Sequence, residues 1–244
     1  MPLAFLRRPD PDHLEVQHAG ASLLVALRRR SAARRITLRV SAATGEAVIT
    51  LPPRMAVSTA QRFVDGHAAW IAARLARVPE RTGFEPGAIV PIRGEPHRLV
   101  LRGQRGGTAR FETVGGEKIL SLACGPEHFS RRVVETLIRE ARTDIHEAVE
   151  RYAPRLGKSP SRITLRDTRS RWGSCTARGD LNFSWRLILA PPLVLDYLVA
   201  HEMAHLREMN HSPRFWAVAN DLCAHVDSAE AWLKRHGTTL HRYG

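Results

Sequence analysis

The stretch Leu193-Val194-Leu195-Asp196-Tyr197-Leu198-Val199-Ala200-His201-Glu202-Met203-Ala204-His205-Leu206 decides how this chain is read. Pro191-Pro192 precedes it and suits a helix start, because proline's missing N–H is not needed in the first turn. The residues from Leu193 to Ala200 are nearly all apolar, so the helix expected over about Leu193 to Leu206 is buried. Three ionisable residues then fall within His201 to His205, and burying them unpaired costs several kcal/mol. Residues i and i+4 lie on one helix face, about 6 Å apart along the axis. His201 and His205 can therefore grip one ion. H-E-x-x-H on a helix is the spacing with which two imidazoles bind zinc while the intervening Glu acts as general base. A core helix with two satisfied histidines is the simpler alternative, and it leaves Glu202 unexplained.

On the C-terminal side the question is the third ligand, since catalytic zinc takes three protein ligands and keeps one position open. His211 follows His205 at the interval of the H-E-x-x-H-x-x-G-x-x-H pattern. Glu208 stands where that pattern has its turn-making Gly, and Asn210 is expected to supply a left-handed turn instead. Asp221 and Glu230 are the rival third ligands. Ser212 suits an N-cap and Pro213 a first residue for a helix to about Ala224, with another over about Ser228 to His236. His225, His236 and His241 are expected at the surface or in packing, and Met209, Phe215 and Trp216 in packing between helices. Zn2+ is the expected cofactor. Its activated water attacks carbonyl and phosphoryl centres alike, so a peptide or protein substrate and a nucleotide both fit. A basic nucleic-acid-binding module with structural zinc is a third reading, disfavoured because structural sites fill all four positions.

On the N-terminal side, Ile163 and Leu165 belong to a strand, and Arg169 to Cys175 (R-S-R-W-G-S-C) to another. After a turn at Arg178-Gly179-Asp180, Leu181, Phe183, Trp185, Leu187 and Leu189 alternate as in a half-buried strand. An edge strand beside a metal can pair with an extended substrate. In that role Trp172 would supply a pocket, and Arg171 or Ser174 would hold an oxygen. Pro126 opens a long helix closed by Pro154. Strands are expected over 98–101, 109–114 and 118–122, after a Gly- and Pro-rich linker from Thr82 to Pro96. Residues 14–52 contain two hairpins. Ser58 and Gln61 then form a capping box for one helix, which carries Phe63, Val64, His67, Ile71 and Leu75 and ends before Pro79. His67 and Trp70 are taken as packing residues. No internal repeat is visible. The expectation is an α+β chain: a β-rich N-terminal portion with one amphipathic helix over 1–123, then a metallohydrolase domain over 124–244.

Composition excludes little beyond disorder and a membrane span. Hydrophobic residues make up 43%, enough for a core, and no apolar run reaches the roughly 18 residues of a spanning helix. Met1 to Arg8 lacks a cleavage site. Cys124, Cys175 and Cys223 are far apart, without C-x-x-C, which argues against a disulfide framework and a thiolate zinc site. A soluble, cytoplasmic protein without membrane partners is expected. The net charge is +13, and residues 1–123 carry 19 basic and 10 acidic residues. That excess makes nucleic acid a candidate partner of the N-terminal portion, through Arg28, Arg29, Arg30, Arg34 and Arg35. The same arginines could simply keep strand edges soluble.

R-S-R-W-G-S-C at Arg169 to Cys175, Leu181-Asn182, Asp196-Tyr197, H-E-M-A-H-L at His201 to Leu206 and N-H-S-P-R-F-W at Asn210 to Trp216 together resemble the YgjP-like metal-dependent hydrolases. That family is distantly similar to the SprT-like proteases, which act on DNA-bound proteins. The match is tight over about Ser161 to Trp232. A looser match covers R-R-I-T-L-R-V at Arg34 to Val40 and the helix with His67, Trp70 and Ile71. The resemblance implies a zincin-like C-terminal domain, an antiparallel sheet plus the H-E-x-x-H helix. It also implies His201, His205 and His211 as metal ligands, Glu202 as base, and metallopeptidase activity. A nucleoside triphosphate pyrophosphatase on the same metal centre is the alternative.

Overall fold

The computed structural model describes residues 10–41, 44–78, 80–103 and 107–244. Met1 to Arg8 and Pro79, both used above, lie outside them. The chain divides into two compact units, Met1–Pro79 and Glu80–Gly244.

The first unit contains strands β1 (His13–His18), β2 (Ala21–Arg29), β3 (Thr37–Val40) and β4 (Ala47–Leu51), then helices α1 (Val57–Asp65) and α2 (Ala68–Leu75). The two expected hairpins are present and join through a parallel β2–β4 pair, in the order β1-β2-β4-β3. Ala19 and Gly20 both take positive φ in the two-residue turn of the first hairpin, a conformation glycine adopts freely. Alternate residues Leu14, Val16, Val25, Leu27, Ile49 and Leu51 share one core with Val64 and Ile71. The single expected helix is two. After Gly66 the chain reaches His67 at φ −113°, and its ring stacks on Phe63 while Nδ1 donates to the Phe63 carbonyl. Nor is there a capping box: Ala56 precedes α1, and Gln61 donates to the Glu15 carbonyl and to Asp65. His67 and Trp70 are exposed, packing only along the surface. Arg28, Arg30, Arg34 and Arg35 are also exposed. Arg29 is structural, paired with Asp10 and donating to the carbonyls of Pro52 and Pro53.

The second unit begins with β5 (Ile89–Ile92), β6 (Glu95–Arg102), β7 (Arg110–Val114) and β8 (Glu117–Ala123), followed by the long helix α3 (Phe129–Leu156). The order is β5-β6-β8-β7, with antiparallel hairpins joined by a parallel β6–β8 pair. This is the topology of the first unit again: hairpin, hairpin, helix. The repeat is invisible in sequence because period-two patterning constrains polarity and not residue identity. The expected linker contains β5, whose Pro91 is tolerated because β5 is an edge strand. Pro154 does not close α3; the helix runs on to Leu156, where left-handed Gly157 caps it. Leu99, Leu120 and Leu122 share a core with Val133, Leu137 and Ala141, so the division expected after residue 123 runs through this unit.

The third sheet consists of β9 (Arg162–Arg166), β10 (Gly173–Cys175) and β11 (Asp180–Ser184) in the order β10-β11-β9. It is mixed where an antiparallel sheet was expected. Two chain reversals return β11 to the direction of β9, and β10 lies far enough out for β11 to enter between them in parallel. Only Gly173 to Cys175 of the expected second strand pair. Beyond β11, Trp185–Leu189 form a 3-10 turn instead of more strand, and all five residues are buried. Helices α4 (Pro192–Ala204), α5 (Pro213–Leu222) and α6 (Val226–His236) complete the unit. Among the described residues no helix is long and apolar enough to cross a membrane.

Within that 3-10 turn Arg186 is 7% exposed. It pairs with Asp167 at 2.7 Å, donates to the carbonyls of Leu240 and Tyr243, and lies over Trp185. Arg186→Met keeps the bulk but orphans two carbonyls at the C-terminal end. Chemical denaturation is expected to show a loss of about 2–4 kcal/mol. A change below about 0.5 kcal/mol would show that this network does not hold the C-terminus.

Candidate metal centre and cleft

Helix α4 is buried over almost its whole length because it packs against α3 and the 3-10 turn before it. Asp196 fixes it to α3, accepting from Tyr152 Oη and from Arg151 at 2.5 Å each. The helix ends at Ala204 with His205 as its C-cap, still in the right-handed region. The last turn tightens: Leu206 N–H donates to Met203 and Arg207 N–H to Ala204. Among the described residues, the non-glycine positions with positive φ are Ala19 and Arg93. Asn210 therefore does not make the left-handed turn expected of it, and the tightened turn takes its place. Lys158 Nζ donates to the Leu206 carbonyl at 2.7 Å and Arg207 to Leu156, tying this loop to the end of α3. Ser212 caps α5 through the Phe215 N–H, as its position suggested.

These supports bring His201, His205 and His211 together. Their ligating atoms all lie within 4.8 Å of one another, and the Nε2 atoms of His201 and His211 are 3.1 Å apart. Ligands about 2.0–2.1 Å from a tetrahedral ion stand roughly 3.3 Å from each other. Phe215, fully buried, lies beneath the three imidazoles with ring centroids 4.9, 4.5 and 4.7 Å away.

The hydrogen bonds behind two of the rings decide where their lone pairs point. Tyr197 Oη donates to Glu230 at 2.9 Å, so it can only accept from His201 Nδ1 at 3.2 Å. His205 Nδ1 donates to the Glu208 carbonyl at 3.0 Å. In each ring the proton sits on Nδ1 and bare Nε2 is left for a metal, the usual second-layer device. Burial, reinforced by His205 and His211, lowers the His201 pKa to about 4, and burial also lowers that of His205. Both stay neutral and able to ligate. The residues fit a divalent ion with imidazole ligands.

Glu202 points elsewhere. It is 5% exposed, and burial raises its pKa to about 7 against the opposing influence of Arg171. Its carboxylate lies against Gly173 of β10, where an added Cβ would come within 2.7 Å of Glu202 Cγ and 2.8 Å of Cδ. A cleft of about 270 Å3 opens here, lined by Trp172, Gly173, Leu198, His201, Glu202 and Leu233 among others.

The model of the YgjP-like metallopeptidase domain matches residues 34–236, more than four-fifths of the chain. The chain belongs to the YgjP-like family. No curated protein and no solved structure matches it. Its metallopeptidase domain supports a metal-dependent hydrolase, and the three-histidine cluster is compatible with a bound metal.

In this YgjP-like chain the residues expected to bind substrate separate. Trp172 lines the cleft and stacks on His241 at 4.8 Å. Arg171 and Ser174 instead line a second hollow, on the other side of β10. Within β10, Ser174 pairs with Asn182 on one face and Gly173 turns toward Glu202 on the other, while Arg171 and Trp172 precede the strand and do not follow its alternation. Glu230 reaches His201 through Tyr197, and Asp221 pairs loosely with Arg155 at 3.8 Å. Met209 is 51% exposed, not packed between helices as expected. Sequence reasoning missed Gly173 and Tyr197. A glycine inside a strand was the available signal for the first. The second lies one helical turn before His201.

The third ligand can be tested directly. His211→Ala is expected to weaken zinc binding by well over 10²-fold, and Asp221→Ala to leave it unchanged. Glu230→Gln should cost about tenfold, the lower end for a partner behind a ligand. Zinc content and competition with a chromogenic chelator measure all three. Loss of zinc in Asp221→Ala with retention in His211→Ala would reverse the assignment.

Proposed function

We propose that this chain is a zinc-dependent peptidase with a zincin-like centre, in which His201, His205 and His211 hold the ion and Glu202 is the general base. When bound, zinc supplies a Lewis acid and acidifies water at its open position. Glu202 takes the proton of the attacking water on its carboxylate and returns it to the departing amine. A pKa near 7 suits both halves of that transfer. Trp172, Leu198 and Leu233 give the cleft apolar walls for side chains of the substrate. Strand β10, at the edge of its sheet, offers backbone groups to an extended peptide.

The observation that carries this reading is a buried carboxylate against an edge strand, in a cleft it shares with His201, one of three convergent imidazoles. A nucleotide substrate would call for cations around its phosphates, and Arg169 and Arg171 are the nearest arginines in sequence to the cleft residue Trp172. Both line hollows outside the cleft, where Lys234 is the basic residue present. A parallel screen of casein, mixed peptides and nucleoside triphosphates, with chelated and zinc-restored enzyme, tests the choice. Zinc-dependent peptide cleavage is expected. Triphosphate cleavage without peptide cleavage would replace this reading with the nucleotide one.

A further inference from the structure

The positive excess of residues 124–244 has a single source. Residues 161–186 carry six Arg and two Asp, while the rest of 124–244 carries twelve basic and twelve acidic residues. This segment builds the sheet that ends in β10. Of its two acids, Asp167 is held by Arg186, and Asp180 lies within 3.4 Å of the Thr176 hydroxyl. Among the described residues, Arg166, Arg169 and Arg171 have no carboxylate at ion-pair distance.

Two of these three arginines share one hollow. A hollow of about 320 Å3 is lined by Arg166, Thr168, Ser170, Arg171, Ser174 and Asn182, together with Gly173 and Phe183. Arg166 donates to Asn182 Oδ1 at 3.1 Å, and Asn182 pairs with Ser174, so these groups share the outer face of the sheet. Gly173 lines both this hollow and the cleft of Glu202. The short edge strand therefore separates the cleft of Glu202 from an arginine-lined hollow.

An extended chain that adds to β10 must turn alternate side chains to opposite faces, with same-face neighbours roughly 6.5–7 Å apart. One set enters the cleft beside Trp172 and Leu198. The other set meets Arg166 and Arg171. We propose that the free edge of β10 docks acidic polypeptide segments, taking carboxylate side chains at alternate positions into the hollow of Arg166 and Arg171. This deepens the peptidase reading and rests on it. A polypeptide is favoured over a nucleic acid because only a polypeptide can continue the sheet while presenting anions at strand spacing.

The test uses zinc-loaded Glu202→Gln protein and two labelled decapeptides, one alternating Asp with Leu and the other Asn with Leu, followed by fluorescence anisotropy. The Asp peptide is expected to bind about tenfold more tightly, from two charge-assisted contacts at a solvated site. That advantage should shrink in Arg166→Gln and Arg171→Gln and with added salt. Equal affinity for the two peptides would overturn the proposal, as would an advantage that survives both substitutions. A short DNA duplex that displaces the Asp peptide and itself loses binding in the same variants would reassign the patch to nucleic acid. Hydrolysis by the unsubstituted enzyme is measured separately. Failure to cut any peptide would sink the peptidase reading, whereas loss of the Asp preference alone sinks only the docking.

Discussion

Glu202→Gln is expected to retain about one zinc per chain and to lose roughly 10²- to 10⁴-fold in kcat, the range for removing a general base. The substitution is nearly isosteric, so it fits against Gly173 and keeps the packing of α4. It removes only the ability to accept and return a proton. Glu202 lies between His201 and His205 in sequence, but its carboxylate lies toward β10, and the cluster that could hold a metal among the described residues contains histidines alone. His201→Ala and His205→Ala should behave in the opposite way, losing activity because the zinc is lost. Metal analysis therefore separates the two kinds of inactive protein. Retention of more than half the activity in Glu202→Gln would show that the proton passes through another group. Loss of zinc from that variant would make Glu202 a ligand or a strut.

Much of this centre was legible because its geometry is local. The spacing of His201 and His205 depends only on helical pitch, and Ser212-Pro213 announces where α5 begins. What could not be read depends on contacts between segments distant in the chain. Asn210 looked necessary for turning the chain toward His211, yet the turn is made by a tightened helix end held by Lys158 and Arg207 from and to α3. The alternation from Leu181 to Leu189 looked like one strand. It breaks at Trp185, where five consecutive buried residues enter a 3-10 turn, and the alternating pattern does not report that burial. The residues R-S-R-W-G-S-C were assigned to one surface, and they line two hollows. Gly173 faces Glu202, Ser174 pairs with Asn182 on the other face of β10, and Trp172, just before the strand, lines the cleft, so residues adjacent in sequence serve two different hollows. The repeated hairpin-hairpin-helix topology was hidden for a similar reason, since topology is set by which strands pair and not by which residues they contain.

Gly173→Ala is the second substitution with a large expected effect. Gly173 does not occupy the left-handed region, so an alanine there meets no backbone penalty; what it lacks is space. Its methyl would lie 2.7 Å from Glu202 Cγ and 2.8 Å from Cδ, nearer than carbon atoms approach in a packed interior. Either Glu202 swings away, or β10 retreats from α4 and strains its pairing with β11. Both displace the base from the reacting water, and a misplacement of about 1 Å costs on the order of 10²-fold in rate. Zinc content should not change, because the atoms that the added methyl meets first belong to Glu202 and not to a histidine. Overpacking should also lower stability by about 1–3 kcal/mol. A second substitution separates this cause from general damage to the strand. In a Glu202→Ala background the carboxylate is gone and the added methyl has room. There Gly173→Ala should cost little stability, and it should not reduce the residual activity further. Equal penalties in the two backgrounds would mean that Gly173 matters to the strand itself and not to the placement of Glu202.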